Sequence, residues 1–264
     1  MEEFPSAIVE QQLNSGAVKD IGAFGIDLVN GTTLLDYNSS KIFKAASTIK
    51  IPIACALEAQ IESGSVEYGT AVQLHRSDLV GGSGLLRLME GCVRPTIGCM
   101  EELMLTVSDN TATNILIDVI GKSSVNKLLS SYGFTDIRLA GKLMRPRKKR
   151  FNSASASDMA GLMSKLYNGE VVSRRASKRI LHILEFQQHH SLIPAALPNW
   201  GIRFANKPGS LEDLRADVAL VWTKEFAFAV AIYVSGFNDF YRAESAVREI
   251  ARAVFLSASL PVRR

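Results

Sequence analysis

No run of about 18 apolar residues occurs anywhere in the 264-residue chain, so no membrane-spanning helix is expected. The opening stretch MEEFPSAIVEQQLNSG is acidic and amphipathic. It lacks the basic segment followed by an apolar stretch that marks a secretory leader. A cytoplasmic location is expected for the chain as written, and a periplasmic or secreted one if a leader preceded it. Cysteine is scarce: Cys55, Cys92 and Cys99 are an odd, sparse set, which reads as reduced thiols and excludes a disulfide framework. No Cys/His spacing points to a metal site, His189-His190 reads as surface, and no cofactor is expected. Acid is missing from one stretch in particular. In GKLMRPRKKRF, Lys142, Arg145, Arg147, Lys148, Lys149 and Arg150 stand with no carboxylate among them. Without those six cations the chain holds 24 basic and 26 acidic residues, so its formal charge of +4 is a local stripe. Such a stripe attracts anionic substrates or an acidic partner, or is a solvated loop. The solvated loop is the expectation, and a nucleic-acid partner is not expected.

What is present is an ordinary globular composition, 47% hydrophobic and 21% charged, with ample core. Residues 4–14 have the spacing of an amphipathic helix. Residues 20–29 and 32–37 read as strands joined at Asn30-Gly31, a strong hairpin signal. Helical patterns follow at 48–62, 97–107, 111–120, 123–131, 156–168 and 174–185. Strands return at 202–207, 216–223 and 226–234, and 239–258 closes the chain as an amphipathic helix. Strands at both ends around a helical centre predict an α+β fold, with an antiparallel sheet flanked by the terminal helices and an all-helical lobe. The expectation is one catalytic domain over 1–264 and a monomer. Its α/β lobe comprises 1–45 and 200–264, its helical lobe 46–199, and the cleft between them is the natural site.

Lys50 stands out within FKAASTIKIPIACALEAQIESG, residues 43–64, because nearly all its neighbours from Thr48 to Leu57 are apolar. A lysine is almost never fully buried unless paired. Ser47 lies three residues before it, on the same helix face. Pro52 is tolerable only near a first turn, which puts Ser47 at a helix N-terminus, where N–H groups and the dipole favour a developing anion. Burial lowers a lysine's pKa and makes it a base for a serine. The spacing alone is weak, since Ser-x-x-Lys arises roughly once in a chain of this length. A second copy, Ser124 to Lys127, has polar surroundings and reads as a helix cap with a solvated lysine. Two further motifs add weight: Ser108-Asp109-Asn110 between two apolar helical runs, and Lys207-Pro208-Gly209-Ser210 at the end of a strand.

Taken together and in this order, the three motifs resemble those of the class A β-lactamases and related penicillin-recognising serine enzymes, S-x-x-K, S-D-N and K-T-G. The likeness runs from about residue 20 to 258 and is strongest in SDNTATN. It implies a β-lactamase/transpeptidase-like fold and a small-molecule amide or ester substrate, β-lactams first. It also implies roles: Ser47 as acylated nucleophile, Lys50 as its base, and Ser108 as proton shuttle. Asn110 would bind the substrate amide, Lys207 would supply positive potential, and the Ser47 and Ser210 N–H groups, with Gly209 beside them, would form the oxyanion hole. Asn114 would hold the neighbouring loop. Cys55, two turns below Ser47, is expected in the core, and Gly81, Gly82 and Gly84 form a flexible turn at the rim. Two departures stand out. Class A enzymes carry a deacylating glutamate on the loop after these helices, whereas residues 138–157 contain no Asp or Glu, and Asp158 reads as a helix cap. Pro208 replaces the Thr or Ser whose hydroxyl helps hold a β-lactam's carboxylate, and it fits only an edge strand. Slow turnover of a penicillin-binding or sensor domain, or acyl transfer to an amine, are therefore alternatives to hydrolysis.

Overall fold

The computed structural model describes residues 3–89, 94–145, 151–198 and 201–259. Cys92 and the cations Arg147, Lys148, Lys149 and Arg150 of the basic stripe lie outside the described residues. In chain order the first elements are α1 (Glu3–Asn14), β1 (Asp20–Asp27), β2 (Thr33–Tyr37), β3 (Phe43–Lys44) and α2 (Lys50–Glu62). The helical middle holds α3 (Ile97–Thr106), α4 (Asn110–Ile120), α5 (Lys122–Ser131), a short β4 (Ser153–Ala154), α6 (Ala156–Asn168) and α7 (Arg174–Glu185). The chain returns through β5 (Arg203–Leu211), β6 (Leu214–Trp222) and β7 (Ala227–Ser235) to α8 (Phe240–Ser259).

Five strands form one antiparallel sheet in the order β2-β1-β7-β6-β5, drawn from both ends of the chain. β6 and β7 are central and buried on both faces, which explains why ADVALVW and AFAVAIYV read as continuous apolar runs. One face packs on α1 and α8: Val9, Val247, Ile250 and Val254 share a core with Ile21, Val230 and Val234. On the other face lies α6, and the remaining helices gather around α2. The run Ile51–Leu57 is buried all round because α2 is that lobe's central helix, in contact with α3, α4, α5 and α7.

Four local expectations differ from the structure. The β1–β2 connection spans residues 28–32 and is not a two-residue turn, because the Asp27 carboxylate takes the N–H groups of Val29 (2.7 Å) and Asn30 (3.3 Å). β5 does not stop at Lys207 but runs through Pro208 to Leu211. Asp158 is not the cap of α6: Ser155 is, and Asp158 in the first turn accepts from Asp136 N–H at 2.8 Å. Ser124 lies inside α5, whose N-cap is Gly121, the same glycine that ends α4. Lys127 is exposed, as read.

Candidate active site

The approach to α2 is built under strain. Ala46 holds φ at +47°, a left-handed conformation that a non-glycine keeps only when its surroundings impose it. Ala46–Ile49 form a single 3-10 turn before α2. Thr48 locks it: its hydroxyl lies 2.7 Å from Ala45 O and 2.8 Å from the hydroxyl of fully buried Tyr233 on β7. Phe43 stacks on the Tyr233 ring at 5.5 Å. The sheet thus fixes the turn that carries Ser47, and Pro52 falls third in α2, where no helical N–H is lost.

Lys50 is fully buried, and its Nζ meets four oxygens. Ser47 Oγ lies 3.1 Å away, Ser108 Oγ 2.9 Å, Ser108 O 2.7 Å and Asn110 Oδ1 2.8 Å. Burial holds its pKa well below the usual lysine value, Lys207 adds to the depression, and Asp109 opposes it. The neutral amine is therefore accessible, within hydrogen-bond reach of both serine hydroxyls.

The α3–α4 junction supplies the facing groups. Ser108 holds φ at +58°, a second left-handed non-glycine at this site. Asp109 caps α4 by accepting from Ala112 N–H at 2.9 Å through Oδ1. Its other oxygen accepts from Leu85 N–H (2.7 Å) and Leu86 N–H (2.9 Å). Asn110 donates from Nδ2 to Gly81 O at 3.1 Å and from its backbone to Ser83 O at 3.0 Å. The glycine turn at the rim is pinned by these bonds. A Cβ on Gly84 would lie 2.4 Å from the Asp109 carboxylate, at a φ of +119°, so only glycine fits.

β5 closes the cleft from the other side. Its register with β6 runs from Arg203↔Trp222 to Leu211↔Leu214, closed by Glu212 and Asp213. In such a ladder alternate residues bond the neighbouring strand, so the backbone groups of 208 and 210 point outward. Pro208 costs no ladder bond on this edge, as expected, and Ser210 N–H faces away from β6. A Cβ on Gly209 would sit 3.0 Å from Ala46 Cβ and 3.1 Å from Ser47 N, so glycine lets the strand lie against the nucleophile's backbone. Lys207 is fully buried and donates to Pro208 O at 3.3 Å. Burial pulls it down to about 7, with Asp217 opposing. Burial likewise pushes Asp217 up to about 7, against the bonds from Asn206 and Ile193 N–H.

Three asparagines hold the stems of the acid-free loop. Asn114 accepts from Leu143 N–H (2.7 Å) and donates to Leu143 O (3.0 Å). Asn126 does the same for Leu139, at 2.9 and 3.0 Å. Asn152 accepts from Ala140 and Gly141 N–H, while its own carbonyl takes Ala45 N–H at 2.7 Å. The loop is therefore tied both to α4 and to the strand leading to Ser47.

Ser47, Lys50, Ser108 and Asn110 thus converge on one amine, with Lys207, Gly209 and Ser210 across the cleft. Among the described residues no group of three or more His, Cys, Asp or Glu is placed to hold a metal ion. No described helix is long and apolar enough to cross a membrane. Sequence reasoning missed Thr48–Tyr233 and Leu143, which matter through partners far away in the chain; His189 and His190 are exposed, as read. Cys55 is a buried core thiol, its pKa raised by burial and then by Glu101 and Glu58.

The comparisons agree with this architecture. The Beta-lactamase2 profile, described as a β-lactamase enzyme family, matches residues 6–257. The β-lactamase CARB-3 of Pseudomonas aeruginosa is 29% identical over 229 residues, covering 81% of this chain and 76% of the relative. A β-lactamase crystal structure from Sphaerobacter thermophilus is 30% identical and superposes with a TM-score of 0.92 over 99% of both chains. PBP-A is 27% identical with a TM-score of 0.84 over 94% of this chain and 95% of that one. A mutant of PBP-A, solved as an acyl-enzyme complex with penicillin G, has a TM-score of 0.87 over 96% and 95%. On fold, site geometry and sequence, the chain belongs to the β-lactamase enzyme family.

Proposed function

We propose that this chain is a serine hydrolase that opens a β-lactam, or a related amide or ester, through an acyl-enzyme on Ser47. The observation that carries the reading is the buried Lys50 amine at 3.1 Å from Ser47 Oγ and 2.9 Å from Ser108 Oγ. Neutral Lys50 takes the Ser47 proton as Oγ bonds to the substrate carbonyl carbon. The oxyanion forms against the N–H groups of Ser47 and Ser210. As the C–N bond breaks, the proton passes from Lys50 through Ser108 to the leaving nitrogen, and the acyl group remains on Ser47 as an ester. Lys207 supplies positive potential, Asn110 receives the substrate amide, and water completes hydrolysis.

One observation favours a slower second half. Residues 138–157 hold no carboxylate, and the loop position bracketed by Asn114 is Leu143. The acyl-enzyme of this chain is then long-lived, as in a penicillin-binding domain, and Lys50 with Ser108 must serve both steps. Ring opening of a chromogenic β-lactam, followed with ester analogues, tests the reading. Ser47→Ala and Lys50→Ala each abolish consumption, while Ser124→Ala consumes substrate at the parent rate. Normal turnover by Ser47→Ala refutes the assignment.

A further inference from the structure

A cavity of about 750 Å³ opens between α3, the C-terminal half of α7 and the stretch around Leu86. Ser47, Lys50, Ser108, Asn110 and Lys207 do not line it, so it is separate from the catalytic cleft. Its apolar walls are Leu86, Leu103, Ile183 and Phe186. The volume lies within the range of small-molecule sites, about 300–1,000 Å³. Hydrogen bonds to the catalytic junction hold the walls in place. Leu86 N–H donates to the Asp109 carboxylate at 2.9 Å, and Leu103 O accepts from Asp109 N–H at 3.0 Å. Thr106, which also lines the cavity, accepts from Gln188 N–H at 3.0 Å through its carbonyl. The cavity is therefore formed before anything enters it, which lowers the ordering cost of binding.

The chemistry of the lining favours one kind of occupant. Phe186 is 57% exposed despite its size, and His182, one helical turn before it, meets its ring edge-on at 5.1 Å. An aromatic molecule covers that exposed ring through the same offset or edge-on geometry. Of the charged groups at the cavity, Glu102 already faces Arg179 at 3.6 Å, whereas Arg94 makes no ion pair among the described residues. The charge left for a ligand is positive.

We propose that this cavity is a second binding site, which takes a small aromatic anion. Its rings lie against Phe186, Leu103 and Ile183, and its acidic group reaches Arg94. The site stands independently of the reading of Ser47 as the acylated residue, because binding there needs no covalent step.

The test uses two fluorescent probes with the same rings, the anion 1-anilinonaphthalene-8-sulfonate and the uncharged N-phenyl-1-naphthylamine. Each is titrated at neutral pH into the parent protein, Arg94→Gln and Cys99→Trp. Cys99 is exposed in the first turn of α3 and lines the cavity, so a tryptophan there fills the space without removing a core side chain. The parent should bind both probes at one saturable site, with the sulfonate about tenfold tighter, the size of a charge-assisted hydrogen bond. Arg94→Gln should weaken the sulfonate alone and bring the two affinities together. Cys99→Trp should abolish saturable binding of both probes while its urea midpoint stays at the parent value. The proposal is overturned by an absence of saturable binding to the parent, or by equal affinities of the two probes there. It is equally overturned by an unchanged sulfonate affinity in Arg94→Gln, or by parent-like binding to Cys99→Trp. None of these outcomes touches the assignment of Ser47.

Discussion

On the proposed mechanism, Leu143→Glu should turn a slow acyl-enzyme into a turning-over hydrolase. Asn114 lies four residues, one helical turn, beyond Asn110 on α4, so the two share a face. Asn110 Oδ1 accepts from Lys50, and Asn114 brackets Leu143 through both of its backbone groups. Residue 143 is therefore held at the same face of α4 as the Asn110–Lys50 contact, one helical turn along. The bracket uses only main-chain atoms of residue 143, so the substitution leaves it intact. Leu143 is half-buried, and its replacement forfeits about 1 kcal/mol of burial, half of what a fully buried leucine contributes. That corresponds to a few degrees in Tm, and the variant folds. A positioned carboxylate base contributes about 10²–10⁴ in rate. The adduct lifetime after a penicillin pulse, read by intact mass, should shorten by a factor in that range, with acylation unchanged. Leu143→Gln, the uncharged isostere, should leave the lifetime as in the parent. Adding Asn114→Ala to Leu143→Glu removes two hydrogen bonds of about 1 kcal/mol each and frees the loop, which cancels the gain. A folded Leu143→Glu protein that acylates normally yet releases no faster than Leu143→Gln refutes the reasoning.

Two further outcomes follow from the packing. Gly84→Ala places a Cβ 2.4 Å from the Asp109 carboxylate at an unfavourable φ, which costs about 1–3 kcal/mol in strain and displaces the acceptor of Leu85 and Leu86 N–H. Its urea midpoint and its acylation rate should both fall, and unchanged values of both contradict the pinned-turn account. Glu101 is buried beside Glu58, with Arg179 2.9 Å from one oxygen and no hydrogen-bond partner for the other among the described residues. Burial, then Glu58, pushes its pKa up to about 8. A raised carboxylate contributes stability that is full below its unfolded value of ~4.3 and is lost as pH rises through the folded one. Stability against urea should therefore decline from pH 5 to 8, and Glu101→Gln should flatten that slope by its own share, leaving the part due to Asp217. An unchanged slope in Glu101→Gln removes the cluster from the explanation.

The sheet and most helices were legible in the sequence because their burial repeats locally. β6 and β7 announce themselves as apolar runs and α8 by its helical period. The hairpin at Asn30-Gly31 was legible, but its turn is longer than the two residues read, because one side chain, Asp27, captured the turn's N–H groups, a competition that spacing does not reveal. β5 was cut short because proline signals a strand end, and only its edge position makes Pro208 harmless. The short ladder β3–β4 pairs Phe43 with Ala154 across more than a hundred residues and leaves no local pattern. At the site, Ser47 and Lys50 were visible as a lysine in apolar surroundings. The strain at Ala46 and Ser108 and the Thr48–Tyr233 lock were not visible, since each is imposed by distant parts of the chain.

The most direct test of the account is the mass of the intact protein, followed over time after mixing with benzylpenicillin, with peptide mapping of any adduct. The account predicts a gain of one penicillin, located on Ser47, absent in Ser47→Ala and slow to decay. An unmodified protein with the β-lactam ring still closed, or an equal adduct on Ser47→Ala, would contradict it.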